Sequence, residues 1–78
     1  MQSQAIKVVT GSHRFGVRVC PGEDTVRYIA GSALPGPNYA ANVVQFGPTT
    51  VEVVFTAAGR PTYDCVVWVV DGILNKDC

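Results

Sequence analysis

The residues of this chain that could do chemistry are few and widely spaced. One histidine, His13, follows a Gly-Ser pair, and there are three cysteines, Cys20, Cys65 and Cys78. A catalytic nucleophile needs a general base beside it, and a structural zinc site usually draws its ligands in close pairs such as C-x₂₋₄-C. The closest two of these four residues, His13 and Cys20, are seven positions apart. We therefore expect no catalytic residues, no metal site and no cofactor, and we expect His13 to be a solvated turn residue.

The acidic residues and the glycines also lack a catalytic pattern. Glu23 and Asp24 are neighbours after a Pro-Gly pair, where acidic side chains commonly hydrogen-bond the backbone of a turn. The phosphate-binding patterns GxxxxGK[ST] and GxGxxG do not occur. The sequence therefore predicts a protein that is not an enzyme.

The basic residues follow a clearer pattern. Arg14 and Arg18 share one side of an alternating run, and Arg27 lies in the run that we expect to pair with it. Residues 1–39 hold four cations against two carboxylates, and residues 40–78 hold two against four. An arginine-bearing sheet face can dock a carboxylate-rich partner or a phosphate backbone, although it can also be simply solvated. The two oppositely charged halves could instead dock on each other in an oligomer.

The elements that position these residues are short valine-rich runs separated by Gly and Pro. β-Branched side chains suit a pleated sheet, and Gly and Pro mark its turns. The pattern predicts a hairpin between the second and third runs, with Pro21 to Asp24 as its loop. The tail, Gly72 to Cys78, should add one short turn at most. The predicted strands cover residues 4–10, 14–20, 25–30, 49–57 and 62–71.

Two segments of the middle of the chain are less regular. Gly31–Asn38 holds two glycines and two prolines in eight residues, which predicts a stiff loop. In residues 38–46, Tyr39, Val43 and Phe46 stand at helical spacing, but the same residues could form a strand. We favour a short helix there.

Composition sets the architecture. Of the 78 residues, 47% are apolar and 15% are charged, the opposite of a disordered chain. No run approaches the roughly 20 apolar residues that a membrane-spanning helix needs. We predict one mainly β domain over residues 1–78: a small antiparallel sheet, sandwich or barrel of about five strands, with or without a short helix over residues 38–46. The predicted core comprises Val17, Val19, Val26, Tyr28, Val51, Val53, Phe55, Val67 and Val69.

The cysteines and the N-terminal residues bear on the cell compartment. Three widely spaced cysteines suggest free thiols, because reducing compartments keep thiols from pairing. The first nine residues contain no apolar core of the kind found in a signal peptide. We therefore expect a cytoplasmic protein with free thiols. One internal disulfide that leaves Cys78 over is the alternative.

Small size and high apolar content favour a binding role. A folded chain of this size buries about 60% of its unfolded surface, and such chains often gain stability from a partner subunit. Trp68 stands in a run that is apolar on both sides. We predict a non-enzymatic protein–protein interaction or assembly module, either a homo-oligomer or a tight binder of a larger partner. The predicted interaction residues are Arg14, Arg18, Arg27, Leu34 and Trp68.

Two other functions remain open at this point. A small nucleic-acid-binding β-barrel would use the arginine face for phosphates and Phe15 or Tyr28 for base stacking. An enzyme inhibitor would present the Gly31–Asn38 loop, with Leu34 entering the target cleft. Nothing in the sequence indicates a membrane partner.

Overall fold

The protein consists of two antiparallel sheets built from strands that are consecutive in the chain. The computed structural model describes residues 3–78, and within them the chain forms seven strands and one 3₁₀ turn, Pro21–Glu23. The first sheet has the order β1-β2-β3 and the second the order β4-β5-β6-β7. The strands are β1 Gln4–Thr10, β2 His13–Cys20, β3 Thr25–Tyr28, β4 Ala40–Phe46, β5 Thr50–Thr56, β6 Tyr63–Val70 and β7 Ile73–Asp77.

Alternation along the strands places one side of each sheet in a shared core, as a strand period of two requires. The molecule measures 43 × 19 × 18 Å, and its thickness fits two sheets about 10 Å apart with side chains on their outer sides. This is the packing of a small β-sandwich and confirms the predicted fold class. The buried core residues are Val8, Phe15, Val17, Val19 and Val26 of the first sheet and Val51, Val53, Phe55, Cys65, Val67 and Val69 of the second.

The short helix expected over residues 38–46 is wrong. Residues 40–46 form β4, which pairs with β5 over its whole length, from Ala40 opposite Thr56 to Phe46 opposite Thr50. Backbone pairing with a neighbouring strand outweighs a helical spacing of only three residues, because most helix stability comes from tertiary packing. The chain therefore has more strands than the five or so predicted.

The tail also forms a strand where a single turn was expected. The β6–β7 loop is the two-residue pair Asp71-Gly72, and both residues have positive φ, 52° and 77°. This is the backbone geometry that an Asp-Gly pair favours in a tight hairpin. The register then carries β7 along β6 from Ile73 opposite Val70 to Asp77 opposite Val66.

Side chains join the two sheets at β3. The Gln45 Oε1 of β4 accepts the backbone N–H of Tyr28 at 3.3 Å, and its Nε2 donates to the Val26 carbonyl at 2.8 Å. The Pro48 carbonyl accepts the N–H of Val26 at 2.9 Å. The side-chain amide thus stands in for a neighbouring strand and satisfies part of the β3 edge.

A second connection between the sheets joins the β2–β3 turn to the β6–β7 turn. The carboxylate of Asp24 accepts the backbone N–H of Asp71 at 3.3 Å and that of Gly72 at 2.8 Å. Asp24 does occupy the β2–β3 turn, as the sequence predicts. Its acceptor role, however, serves the β6–β7 turn of the other sheet.

The Gly31–Asn38 loop is fixed against β2. Where β3 ends, Leu34 continues the pairing with Arg14 through two backbone hydrogen bonds of 2.7 and 3.2 Å. The Ser32 Oγ accepts the N–H of Gly16 at 2.9 Å and donates to the Ile29 carbonyl at 2.6 Å. The loop is therefore anchored along its length.

Candidate functional site

The outward side of the first sheet, here called the basic face, collects most of the cations of the chain. In the register of β1, β2 and β3, the residues Lys7, Arg14, Arg18 and Arg27 all point away from the core, and all are exposed. None of the outward positions of these three strands carries a carboxylate. The three predicted arginines therefore lie together, and Lys7 joins them.

Two of these arginines are direct neighbours. Arg18 and Arg27 stand opposite each other across β2 and β3. Like charges at directly opposed positions of an antiparallel pair destabilise it. The Arg18 Nη1 donates to the Ser3 Oγ at 3.1 Å, which orients that guanidinium but leaves its charge in place. An anion bound at this point would relieve the repulsion.

A cavity opens on the same face beside Arg14. It has a volume of about 310 Å³ and is mainly apolar, and its lining includes Ile29 and Leu34 together with Lys7 and Arg14. Gly16, which has no side chain, lies in its lining. An apolar side chain or group flanked by negative charge fits this combination. Leu34, the fourth predicted interaction residue, is therefore part of the basic face.

The outward side of the second sheet, here called the acidic face, has the opposite charge. The carboxylates Glu52, Asp64 and Asp77 occupy outward positions of β5, β6 and β7, and no outward position of β4 to β7 holds a lysine or arginine. Large apolar side chains occupy other outward positions of the same sheet. They are Val44, Phe46, Val54, Val66, Trp68, Val70 and Ile73.

The apolar residues of the acidic face are well exposed at its borders. Phe46 is 53% exposed, Val70 50% and Ile73 65%, whereas Trp68, nearer the centre, is half-buried. Apolar residues that gather on one side of a small protein mark interaction sites. Trp68, the fifth predicted interaction residue, thus lies on the sheet opposite the arginines.

Two acids on this face interact unfavourably when both are charged. Glu52 pairs with Val66, and Asp64 lies diagonally across at the next outward position of β6. A hydrogen bond to Asp64, then partial burial, and then repulsion from the Asp64 charge raise the pKa of Glu52 above its ordinary value. The acidic face, like the basic face, therefore holds a like-charge pair.

We expect this pair to make stability depend on pH. Because the pKa of Glu52 is raised in the folded state, the folded protein binds this proton more tightly than the unfolded chain does. The stability that results is fully present below the ordinary pKa of 4.5. It is lost as the pH rises through the raised value. Asp64→Asn should remove this dependence and make the variant more stable than the wild type at neutral pH, as measured by urea unfolding across pH.

The control for that measurement is Glu23→Gln, which removes an exposed carboxylate in the 3₁₀ turn. It lies outside the Glu52–Asp64 pair and should not raise stability at neutral pH. An Asp64→Asn profile that matches the wild type would contradict the coupling between the two carboxyl groups.

The prediction for His13 is wrong. The residue begins β2 and is only 2% exposed, with ring centroids of Tyr39, Phe55 and Tyr63 at 4.4, 4.8 and 5.0 Å from its own. Its Nδ1 accepts the backbone N–H of Gly36 at 2.8 Å, which requires an unprotonated Nδ1. His13 thus has a structural role, holding the 31–38 loop to β2 within an aromatic cluster.

The expectation of three free thiols is also wrong. Cys65 and Cys78 form a disulfide across the end of the β6–β7 hairpin, and Cys20 is the free cysteine. The alternative with Cys78 left over is wrong as well. The pairing follows from β7, because its register with β6 brings Cys78 opposite Cys65.

The aromatic residues proposed for base stacking do not lie on the basic face. Phe15 is 1% exposed in the core, and Tyr28 packs against the core from the same side. The Tyr28 hydroxyl also accepts the Ala33 N–H at 3.1 Å. The basic face can therefore contact phosphates, but neither of these rings can stack on a base there.

Comparisons with protein-family models, with curated proteins and with solved structures find no match to this chain. Among residues 3–78, no three His, Cys, Asp or Glu side chains are arranged to hold a metal ion. In the same part of the chain, no helix has the length and apolar character needed to cross a membrane. The interpretation of the two faces therefore depends on their own chemistry.

Proposed function

We propose that this protein is a non-enzymatic assembly module that works by binding protein, first of all further copies of itself. The observation that carries the proposal is the acidic face, where apolar side chains are exposed beside carboxylates on a sheet whose other side already forms the core. Burial of such side chains at an interface contributes about 25 cal/mol per Å² of apolar surface. A small chain gains most from such contacts, because its own core is limited.

The position of Trp68 supports this proposal. It lies in a cross-strand row with Thr50 and Asn75, and Phe46 follows on the far side of Thr50. Tryptophan and other aromatic residues are enriched where interfaces derive most of their binding energy. A partner that covers this row would bury the side chains of both Trp68 and Phe46.

The test is sedimentation at micromolar concentrations. The wild type should sediment with an apparent mass above the 8.3 kDa of its monomer. Phe46→Glu should weaken the association at least about tenfold, because it places a charge among buried apolar groups. The matched control is Ala58→Glu in the exposed β5–β6 turn, which should associate like the wild type. A wild type that remains monomeric throughout would overturn the self-association proposal.

Nucleic-acid binding is the second candidate function. The basic face favours it, because four cations without a carboxylate on one sheet side can contact successive phosphates. Such binding would have to proceed without base stacking by Phe15 or Tyr28. A titration of single-stranded oligonucleotide at low salt decides the matter, since a complete lack of binding there excludes this function.

The inhibitor function stays a third and weaker proposal. The Gly31–Asn38 loop is anchored by Leu34 and Ser32, and Leu34 itself is 50% exposed. A fixed loop loses less entropy when it binds. Leu34→Asp should abolish inhibition of a target enzyme while the fold persists.

Cytoplasmic location is likewise a proposal. The free Cys20 is compatible with it, but the Cys65–Cys78 disulfide argues for an oxidising compartment, where such bonds persist. Labelling of thiols in protein isolated from its cells under acid quench distinguishes the two locations. One reactive cysteine would indicate the oxidised form, and three the reduced form.

A further inference from the structure

We infer that the basic face of one copy binds the acidic face of a second copy, so that the chain assembles head to tail. This inference rests on the proposed assembly function and names its partner and its geometry. Charge complementarity is the first argument. The outward positions of β1 to β3 carry four cations and no carboxylate, whereas those of β4 to β7 carry three carboxylates and no lysine or arginine.

The like-charge pairs are the second argument. Arg18 stands opposite Arg27 on the basic face, and Glu52 and Asp64 occupy diagonally adjacent outward positions of β5 and β6 on the acidic face. Each pair is unfavourable in an isolated molecule. Two adjacent guanidinium groups are well suited to bind two adjacent carboxylates, because each pairing is a charge-assisted hydrogen bond. Contact between the faces would therefore relieve both repulsions together.

The apolar groups are also complementary. The cavity beside Arg14 is lined by Ile29 and Leu34 on a cationic face. The acidic face offers protruding apolar side chains, of which Ile73 and Phe46 are the most exposed, and Phe46 lies diagonally across from Glu52. Insertion of Phe46 would occupy part of the cavity and bring Glu52 towards Lys7 and Arg14 of its lining.

The geometry determines the type of assembly. The two faces lie on opposite outer sides of the sandwich, because each is the side of its sheet turned away from the common core. The contact is thus between unlike surfaces, and a bound pair of copies still offers one free basic face and one free acidic face. Such an interface produces a ring if its rotation closes and a growing filament if it does not.

A second copy fits these observations better than nucleic acid does. A phosphate backbone would neutralise the basic face, but it would leave the acidic face and its apolar residues uncovered. The carboxylates Glu52, Asp64 and Asp77 would also repel a polyanion that approached the second sheet. A second copy carries both charge patterns and therefore satisfies both faces.

The experiment is charge reversal on each face, read by sedimentation at low salt. The pair Arg18→Glu and Arg27→Glu, and separately the pair Glu52→Lys and Asp64→Lys, should each weaken self-association at least about tenfold. An equal mixture of the two double variants should recover association, because the reversed basic face of one fits the reversed acidic face of the other and the unaltered faces still match. Raising the salt concentration to about 1 M should weaken the wild-type assembly as well.

The matched control is Arg60→Glu with Lys76→Glu, which changes the net charge by the same amount as reversal of Arg18 and Arg27 but lies outside the outward positions of both sheets. It should leave association unchanged. Thermal unfolding of every variant, compared with the wild type, identifies any that fail to fold. Replacing the arginines by glutamine supplies a milder second variant for that case, with a smaller loss expected.

The outcomes separate this inference from the proposed function. If the arginine reversal associates like the wild type while Phe46→Glu does not, the head-to-tail contact is wrong and self-association through the acidic face alone stands. A mixture that does not recover association also overturns the inference. A monomeric wild type overturns both, and oligonucleotide binding that is lost on arginine reversal would then assign the basic face to nucleic acid.

Discussion

Phe55→Ala should remove a large share of the free energy of unfolding. Phe55 is fully buried in β5, and replacement of a buried phenylalanine by alanine costs about 3–5 kcal/mol. A chain of 78 residues has a total stability of only about 4–12 kcal/mol. Its aromatic ring stacks on His13 at 4.8 Å and lies 6.3 Å from Phe15. The cavity left by the substitution would therefore loosen contacts in both sheets at once.

Chemical denaturation followed by far-ultraviolet circular dichroism measures this loss. Phe46→Ala, compared at a protein concentration low enough to keep the chain monomeric, is the matched control, since the same side chain is removed from a position that is 53% exposed. It should change the free energy of unfolding by less than about 1 kcal/mol. Equal losses at the two positions would contradict the assignment of Phe55 to the core.

Loss of the Cys65–Cys78 disulfide should be the second large effect. The bridge closes a segment with a sequence separation of 13, and closure of a loop of about this size restricts the unfolded chain by an amount worth about 3 kcal/mol. Cys78→Ser should therefore lower stability by about 2–4 kcal/mol. Reduction of the wild type should have a similar effect. Urea midpoints for oxidised, reduced and variant protein provide the measurement.

Cys20→Ser is the control for this prediction. Cys20 is the free, half-buried cysteine at the end of β2, and its replacement should leave the midpoint nearly unchanged. The Cys78→Ser variant should also become insensitive to reductant. A wild-type midpoint that is the same with and without reductant would contradict a stabilising bridge.

The sequence was most informative where alternation alone determines the structure. In β2, buried Val17 and Val19 alternate with outward Arg14 and Arg18, so both the core side and the charged side were predicted. The β2–β3 hairpin was predicted because the Pro-Gly turn leaves a single close partner for this strand. Pairing in register then places Arg27 opposite Arg18.

Prediction failed where the deciding contacts join distant residues. The apolar spacing of β4 fits a helix and a strand equally well, and only the pairing with β5 decides between them. The environment of His13 arises from Gly36, Tyr39 and Tyr63, which come from a loop and another sheet. No local pattern at His13 indicates those neighbours.

The strand β7, which was predicted as a turn, has a local signal in the sequence. Asp71-Gly72, flanked by apolar residues, is a strong hairpin sequence. The hairpin predicts β7, and its register then predicts that Cys78 faces Cys65. Prediction of the acidic face depends on the same hairpin, because Asp77 belongs to β7 and joins the other carboxylates only when that strand is formed.

The order of the strands also has a consequence for how the chain folds. Every strand pairs only with its neighbours in sequence, so each sheet is a meander whose contacts close over short loops. Short-range contacts are entropically inexpensive to form, and proteins rich in them fold quickly. The docking of one meander on the other across residues 29–39 is then the least local event. We expect this docking to limit the folding rate. Asp24 and Gln45 hydrogen-bond from one meander to the other, and we expect their contacts to form in the same step.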